Sequence, residues 1–330
     1  MLSIGSRVGD YDILDIHDQS KTGVVYRVRN QVAGRLEALK VLPESLQTNT
    51  EALERFFREI KVHARLMHPN IAAFYNATQI GTVVVMTTEF IEGTALASIL
   101  QGGPLPPATA VSYLTQVLAA LSHAHSQNVV HREVTPENIY ILEGGRVKLG
   151  GFGLAKGKGE MNLTQEGTTL GPVHYISPEQ VKGTTELDPR SDIYSAGCVL
   201  YEMLTGRKPF NAKSQFDVML AHVQRDPMLA GTVNRNIPAH WSFVIAKAME
   251  KKPSERYPTA SAFAAALEDA LSRPGQFTKT AATPPAPLAP GPAQTAPAMA
   301  HPSSPDQTFT WLMVAFVAAA IVFAFLLLAR

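Results

Sequence analysis

The sequence predicts an α+β fold of two unequal lobes, a small β-rich one followed by a larger helical one, with a transmembrane helix towards its C-terminal end. Three observations carry this. Short strand-like runs dominate positions 11–90, helical spacing of apolar residues dominates 108–271, and 311–329 is a run of nineteen residues without a charge.

In the first lobe, 24–28, 36–41 and 82–88 read as strands, rich in β-branched and aliphatic residues. They are interrupted by one helix over 51–67, where Leu53, Phe56, Phe57, Ile60, Ala64 and Met67 recur at spacings of three and four and so share a face. In the second lobe the same periodicity predicts helices over 111–125, 192–204, 214–224, 240–249 and 260–271. The stretch 273–310 is rich in Pro, Ala and Thr, with Pro284, Pro285, Pro287, Pro290, Pro292 and Pro297 in close succession. Such a composition builds no packed core and favours an extended, semi-rigid spacer. At the helical rise, 311–329 reaches about 28 Å, enough to cross a bilayer's hydrocarbon. Trp311 suits the interface, and Arg330 suits the far headgroups.

With 45 % hydrophobic and 17 % charged residues, the 330-residue chain is globular in composition. Its formal charge of +1, from 29 basic and 28 acidic residues, provides no field to draw in nucleic acid, which is excluded as a partner. A single cysteine, Cys198, excludes an intrachain disulfide and suits a reducing compartment; its apolar surroundings predict a buried, inert thiol. The first thirty residues show no charged-then-apolar leader, so the lobes are expected on the cytoplasmic side of the membrane.

Several short motifs occur in a fixed order along the lobes: Ala38-Leu39-Lys40, Arg58-Glu59, His68-Pro69-Asn70, His131-Arg132-Glu133, Pro136-Glu137-Asn138, Gly151-Phe152-Gly153, Ser177-Pro178-Glu179, the run from Asp192 to Gly197, and Arg256. In this order they resemble the bacterial Ser/Thr protein kinases of eukaryotic type, over residues 8–272. The resemblance implies a protein-kinase fold, with an N-lobe at about 8–90 and a C-lobe at about 93–272. It implies an ion pair between Lys40 and Glu59 at the phosphates. It also implies a nucleotide cleft lined by Val25, Ala38, Tyr140 and the hinge residues Glu89 and Ile91, behind a small gatekeeper, Thr88. Glu179 is expected to meet Arg256, Asp192 to cap the catalytic loop, and Arg132 to face the activation segment. His63 falls where an apolar residue usually bridges the lobes, and a hydrogen-bonded histidine is expected there.

Against the family pattern the chemistry is depleted. Gly151 replaces the magnesium-binding aspartate, leaving Asn138 as a weak metal ligand, because a hard cation wants several oxygens. Glu133 stands at the catalytic base, a weak substitute whose extra methylene displaces the carboxylate. Thr135 replaces the lysine that steadies the phosphoryl group, and Pro172 replaces the threonine that contacts it. Of the glycines covering the phosphates only Gly23 remains, with Asp18 and Ser20 at the other two positions. Tyr140 replaces an aliphatic residue under the adenine and either partly fills the pocket or is an ordinary strand aromatic.

The expected function is therefore a membrane-anchored pseudokinase serving as a signalling or regulatory scaffold, binding ATP weakly or not at all and without magnesium. Two rivals remain: a weakly active Ser/Thr kinase, and a purely structural tether. Expected partners are the lipid bilayer, through 311–329, and other proteins, among them an active Ser/Thr kinase. Such a kinase would phosphorylate Thr164, Thr168 or Thr169 and so recruit Arg132; the alternative is that these are plain loop threonines.

Overall fold

In the computed structural model the described residues are 2–20, 23–42, 50–81, 83–152, 173–184 and 187–272. Six strands and one helix make up the first lobe. Strands β1 (Arg7–Val8), β2 (Tyr11–Ser20), β3 (Gly23–Asn30) and β4 (Arg35–Val41) form an antiparallel meander. Helix α1 (Thr50–His63) follows, then β5 (Phe74–Ile80) and β6 (Val83–Glu89), giving a six-stranded sheet in the order β1-β2-β3-β4-β6-β5. The alternation of β3 sorts its side chains. Val24, Tyr26 and Val28 join Tyr11, Ile13, Leu39, Val41 and Val85 in a closed apolar cluster on one face. The opposite face carries Val25 and Lys40, paired in register, and this face overlooks α1.

Helix α1 ends sooner than the 51–67 reading. Its last turn unwinds at Ala64 and Arg65 ahead of Pro69, so Leu66 is buried and Met67 is 84 % exposed. Phe57 is exposed as well, because it stands one residue off the stripe of Leu53, Phe56 and Ile60 that packs with Leu42 and Met86. The short strand β5 was not anticipated, its run Phe-Tyr-Asn-Ala-Thr-Gln-Ile being too polar to read as a buried strand.

In the C-lobe β7 (Thr94–Ala95), β8 (Ile139–Ile141) and β9 (Val147–Leu149) make a small sheet. Around it lie α2 (Leu96–Leu100), α3 (Pro107–Ser126), α4 (Pro178–Val181), α5 (Arg190–Thr205), α6 (Gln215–Gln224), α7 (Ala230–Val233), α8 (His240–Ala248) and α9 (Ala260–Ser272). The five long helices agree with the sequence periodicity to within a few residues. Helix α5 is buried on nearly every side, and Cys198 lies at its centre, its thiol pushed well up by burial. Gly197 brings α5 against α8: a β-carbon there would stand 2.9 Å from that of Ala248.

Among the described residues no helix is long and apolar enough to cross a membrane; the expected span 311–329, the spacer 273–310, Pro172 and Thr164, Thr168 and Thr169 lie outside them.

Candidate functional site

Between the lobes the side chains singled out in the sequence converge. Lys40, from β4, donates through Nζ to both carboxylate oxygens of Glu59 on α1, at 2.7 and 2.9 Å. Burial pushes the Glu59 carboxyl up, and Lys40 only partly reverses this, so desolvation outweighs the pair's attraction at the acid's end. Beside the pair runs a column of four rings. Phe74 of β5 lies 6.2 Å from His63, His63 lies 6.2 Å from Phe152, and Phe152 packs edge-on to His131 at 4.4 Å.

Both imidazoles of the column are anchored. His63 Nε2 donates to the Ala72 carbonyl at 2.8 Å, as expected of a histidine at this position. His131 Nε2 donates to the Gly150 carbonyl at 2.8 Å, and its Nδ1 accepts from Glu133 N at 3.2 Å, which assigns the neutral Nε2–H tautomer. Burial holds the pKa of both rings below the usual value; for His131 the nearby Asp192 opposes this without reversing it.

The catalytic loop is held from beneath by Asp192 at the start of α5. Its fully buried carboxylate accepts from His131 N at 2.8 Å, Arg132 N at 2.8 Å and His125 Nε2 at 2.7 Å. Arg132 adopts a left-handed backbone, φ 71°, and this double backbone contact keeps it there. A further tie was not foreseen: Gln180 Nε2 donates to the Arg132 carbonyl at 2.8 Å, while its Oε1 accepts from Ser177 N and Oγ. One amide thus joins α4 to the catalytic loop. Next to it Glu179 meets Arg256 in a two-point pair, at 2.7 and 2.8 Å, and accepts from Ser191 Oγ. Burial raises the Glu179 carboxyl, but Arg256 first, then the Ser191 hydroxyl and a backbone N–H, together more than reverse it, and the net shift is down.

Asn138 and Gly151 face each other at the centre of the cleft. The Asn138 amide donates to the Glu133 carbonyl at 2.9 Å, and a β-carbon at Gly151 would come within 2.7 Å of Asn138 Cγ. Gly151 has φ +77°, a conformation that favours glycine. Thr135, at the position of the expected lysine, is buried. No group of three or more His, Cys, Asp or Glu side chains able to hold a metal occurs among the described residues.

Val25 and Ala38 are half-buried on the cleft face of the sheet. At the hinge the Glu89 side chain turns away. It pairs with Lys148 at 2.6 Å and accepts from Ala73 N at 3.1 Å, and the Glu89 N–H donates to the Ala73 carbonyl at 2.8 Å, so neither the side chain nor the N–H is left for a base. The Ile91 carbonyl accepts from Gly93 N at 3.0 Å. On the cleft floor Ile139 and Ile141 are buried in the C-lobe core, so Tyr140 between them points up into the cleft, its ring against Gly150. Burial first, and then the charge of Asp18, raise the Tyr140 hydroxyl's pKa.

Comparison with known proteins agrees with this architecture. Residues 19–267 match the protein kinase domain family. A probable serine/threonine-protein kinase of Clostridium perfringens is 37 % identical over 270 residues, 80 % of this chain and 39 % of the relative. PrkC of Bacillus subtilis is 35 % identical over 81 % of this chain and 42 % of its own, and PknD of Mycobacterium tuberculosis is 36 % identical over 84 % and 42 %. The chain thus spans about two fifths of these relatives' length. The crystal structure of the M. tuberculosis PknI kinase domain superposes with a TM-score of 0.65, covering 82 % of this chain and all of that one at 23 % identity, a likeness of fold. By the span of the family match and the identity to these relatives, the chain belongs to the protein kinase family, among the bacterial serine/threonine kinases of eukaryotic type.

Proposed function

We propose that the chain is a membrane-tethered pseudokinase, a kinase fold kept as a binding or regulatory platform. The observation that carries this is the contact between Asn138 and Gly151. Phosphoryl transfer depends on charge neutralisation and on placement of the attacking hydroxyl. Here the Asn138 amide is fixed by its Nδ2 on the Glu133 carbonyl, its Oδ1 is the one side-chain oxygen it can offer a cation, and the position facing it has neither a carboxylate nor room for one. These residues do not fit a magnesium ion, which wants several oxygens in near-octahedral array. The tether is the uncharged run 311–329 beyond a Pro-rich spacer. Input from a partner kinase would arrive on Thr164, Thr168 or Thr169.

One rival has a specific observation in its favour. The assembled Lys40–Glu59 pair suits a weakly active Ser/Thr kinase using Glu133 as base. The deciding experiment is transfer of labelled γ-phosphate from ATP, with magnesium or manganese, by the full-length chain in detergent, against Lys40→Met as background. The platform reading expects incorporation equal to that background. Robust metal-dependent transfer that Lys40→Met abolishes overturns it.

A further inference from the structure

We infer that the cleft takes an uncharged purine nucleoside in preference to any nucleoside polyphosphate, and that Asp18 sets this preference. The inference deepens the platform reading and rests on it. Register fixes where Asp18 points: it pairs with Val25, and Val25 pairs with Lys40. Residues directly opposite in antiparallel strands share a face, so Asp18, Val25 and Lys40 form one row across the sheet. That face is the cleft's, because Lys40 reaches from it to Glu59. Asp18 is exposed and makes no hydrogen bond or ion pair among the described residues. Across the cleft stands Tyr140, close enough for the charge of Asp18 to be felt at its hydroxyl.

The inner end of this slot is apolar, with Val25 and Ala38 on the sheet side and the Tyr140 ring on the floor. The Ile91 N–H, which has no hydrogen-bond partner among the described residues, offers one donor to the edge of a planar base. Further out the slot is anionic. Among the described residues its facing cation is Lys40, which already gives two hydrogen bonds to Glu59, so that pair is neutral as a unit. A triphosphate carries several negative charges, and no metal site among the described residues screens them from Asp18. Sugar hydroxyls are the opposite case: a carboxylate accepts their hydrogens in charge-assisted bonds. One residue therefore rewards the nucleoside and penalises the phosphates.

Calorimetric titration of the full-length chain in detergent with adenosine, AMP and ATP, each with and without magnesium, tests this. Adenosine is expected to bind at least about tenfold more tightly than ATP, with AMP between them. The preference should shrink as salt is raised, through screening at the open cleft mouth. Asp18→Asn, isosteric and at an exposed position free of structural bonds, should bring ATP to within about threefold of adenosine. Binding of ATP as tight as that of adenosine, a preference unchanged by Asp18→Asn, or no binding of any of the three overturns the inference. Each of those results leaves the platform reading standing, because that reading is decided by phosphate transfer alone.

Discussion

The side chain of Asn138 lies directly under Gly151, filling the space that any β-carbon there would enter, with Cγ, Nδ2 and Oδ1 all within 2.8 Å of it. The loss of a metal ligand at 151 is thus more than a deletion. The neighbouring amide occupies the space that a side chain at 151 would need, and its Nδ2 bonds the Glu133 carbonyl.

Restoring the aspartate alone should therefore harm the protein before it helps. Gly151→Asp sets a non-glycine residue at φ +77° and pushes on Asn138, a combination expected to cost about 1–3 kcal/mol. Urea denaturation should show that loss, and calorimetry should show no tenfold gain in nucleotide affinity, about 1.4 kcal/mol, on adding magnesium. A stable variant with a magnesium-dependent affinity would show that Asn138 swings aside freely.

The Glu179–Arg256 pair is expected to dominate stability in acid. Arg256 is almost wholly buried, so Glu179→Gln leaves a guanidinium short of its countercharge, at about 3–5 kcal/mol. Because the folded carboxyl lies below its ordinary value of about 4.3, its contribution is complete above that pH and is lost as pH falls through the lower, folded value. Thermal unfolding measured below about pH 4.3 should fall more steeply for the wild type than for the Gln variant. Parallel curves would refute the assignment.

His222 acts at milder pH. It is buried between Tyr194, whose hydroxyl lies 2.9 Å from its Nδ1, and Phe210; burial first, and then the charge of Lys251, push it down to about 3. The folded state thus disfavours its protonation. The stability this site gives is full above the unfolded value of about 6.5 and declines as pH falls towards 3, by about 2 kcal/mol at pH 5. His222→Gln should flatten the difference in unfolding free energy between pH 7 and pH 5 by about that amount. An unchanged difference would place the titration elsewhere.

Gln180→Ala should loosen the catalytic loop without touching the cleft. It removes the bond to the Arg132 carbonyl and both bonds from Ser177, at about 1–2 kcal/mol overall. Amide exchange should rise from 131 to 135 and from 177 to 181, and stay constant in α1. Faster exchange in α1 as well would mean the whole inter-lobe contact depends on this residue.

The sequence shows some of these relationships better than others, for physical reasons. Lys40–Glu59, Glu179–Arg256 and the capping by Asp192 could be expected because each joins residue types whose charges or lone pairs demand a partner, at positions fixed by motif order. Helices such as α3 and α5 declared themselves by apolar spacing. Gln180 gave no signal: a neutral amide on a four-residue helix suits solvent equally well, and only the fold brings it to Arg132. The same holds for Lys148, whose partner Glu89 is 59 residues away. Asn138 was visible as a metal ligand, but its contact with Gly151 depends on a backbone angle that sequence does not encode directly.

The column Phe74–His63–Phe152–His131 has a mechanical consequence. Hydrocarbon stacked on hydrocarbon is held by a force without direction and can glide. Here two of the four members are imidazoles fastened by directional bonds, one to the Ala72 carbonyl and one to the Gly150 carbonyl. Ala72 N in turn donates to Leu149 O, the residue before Gly150. Each imidazole bond lies within one lobe, so rocking one lobe on the other keeps both rings fixed and must instead slide Phe152 past His63 and break the Ala72–Leu149 bond, at about 1 kcal/mol. Lobe motion is thereby confined to one ring face and one hydrogen bond, while the rings on either side keep their orientation.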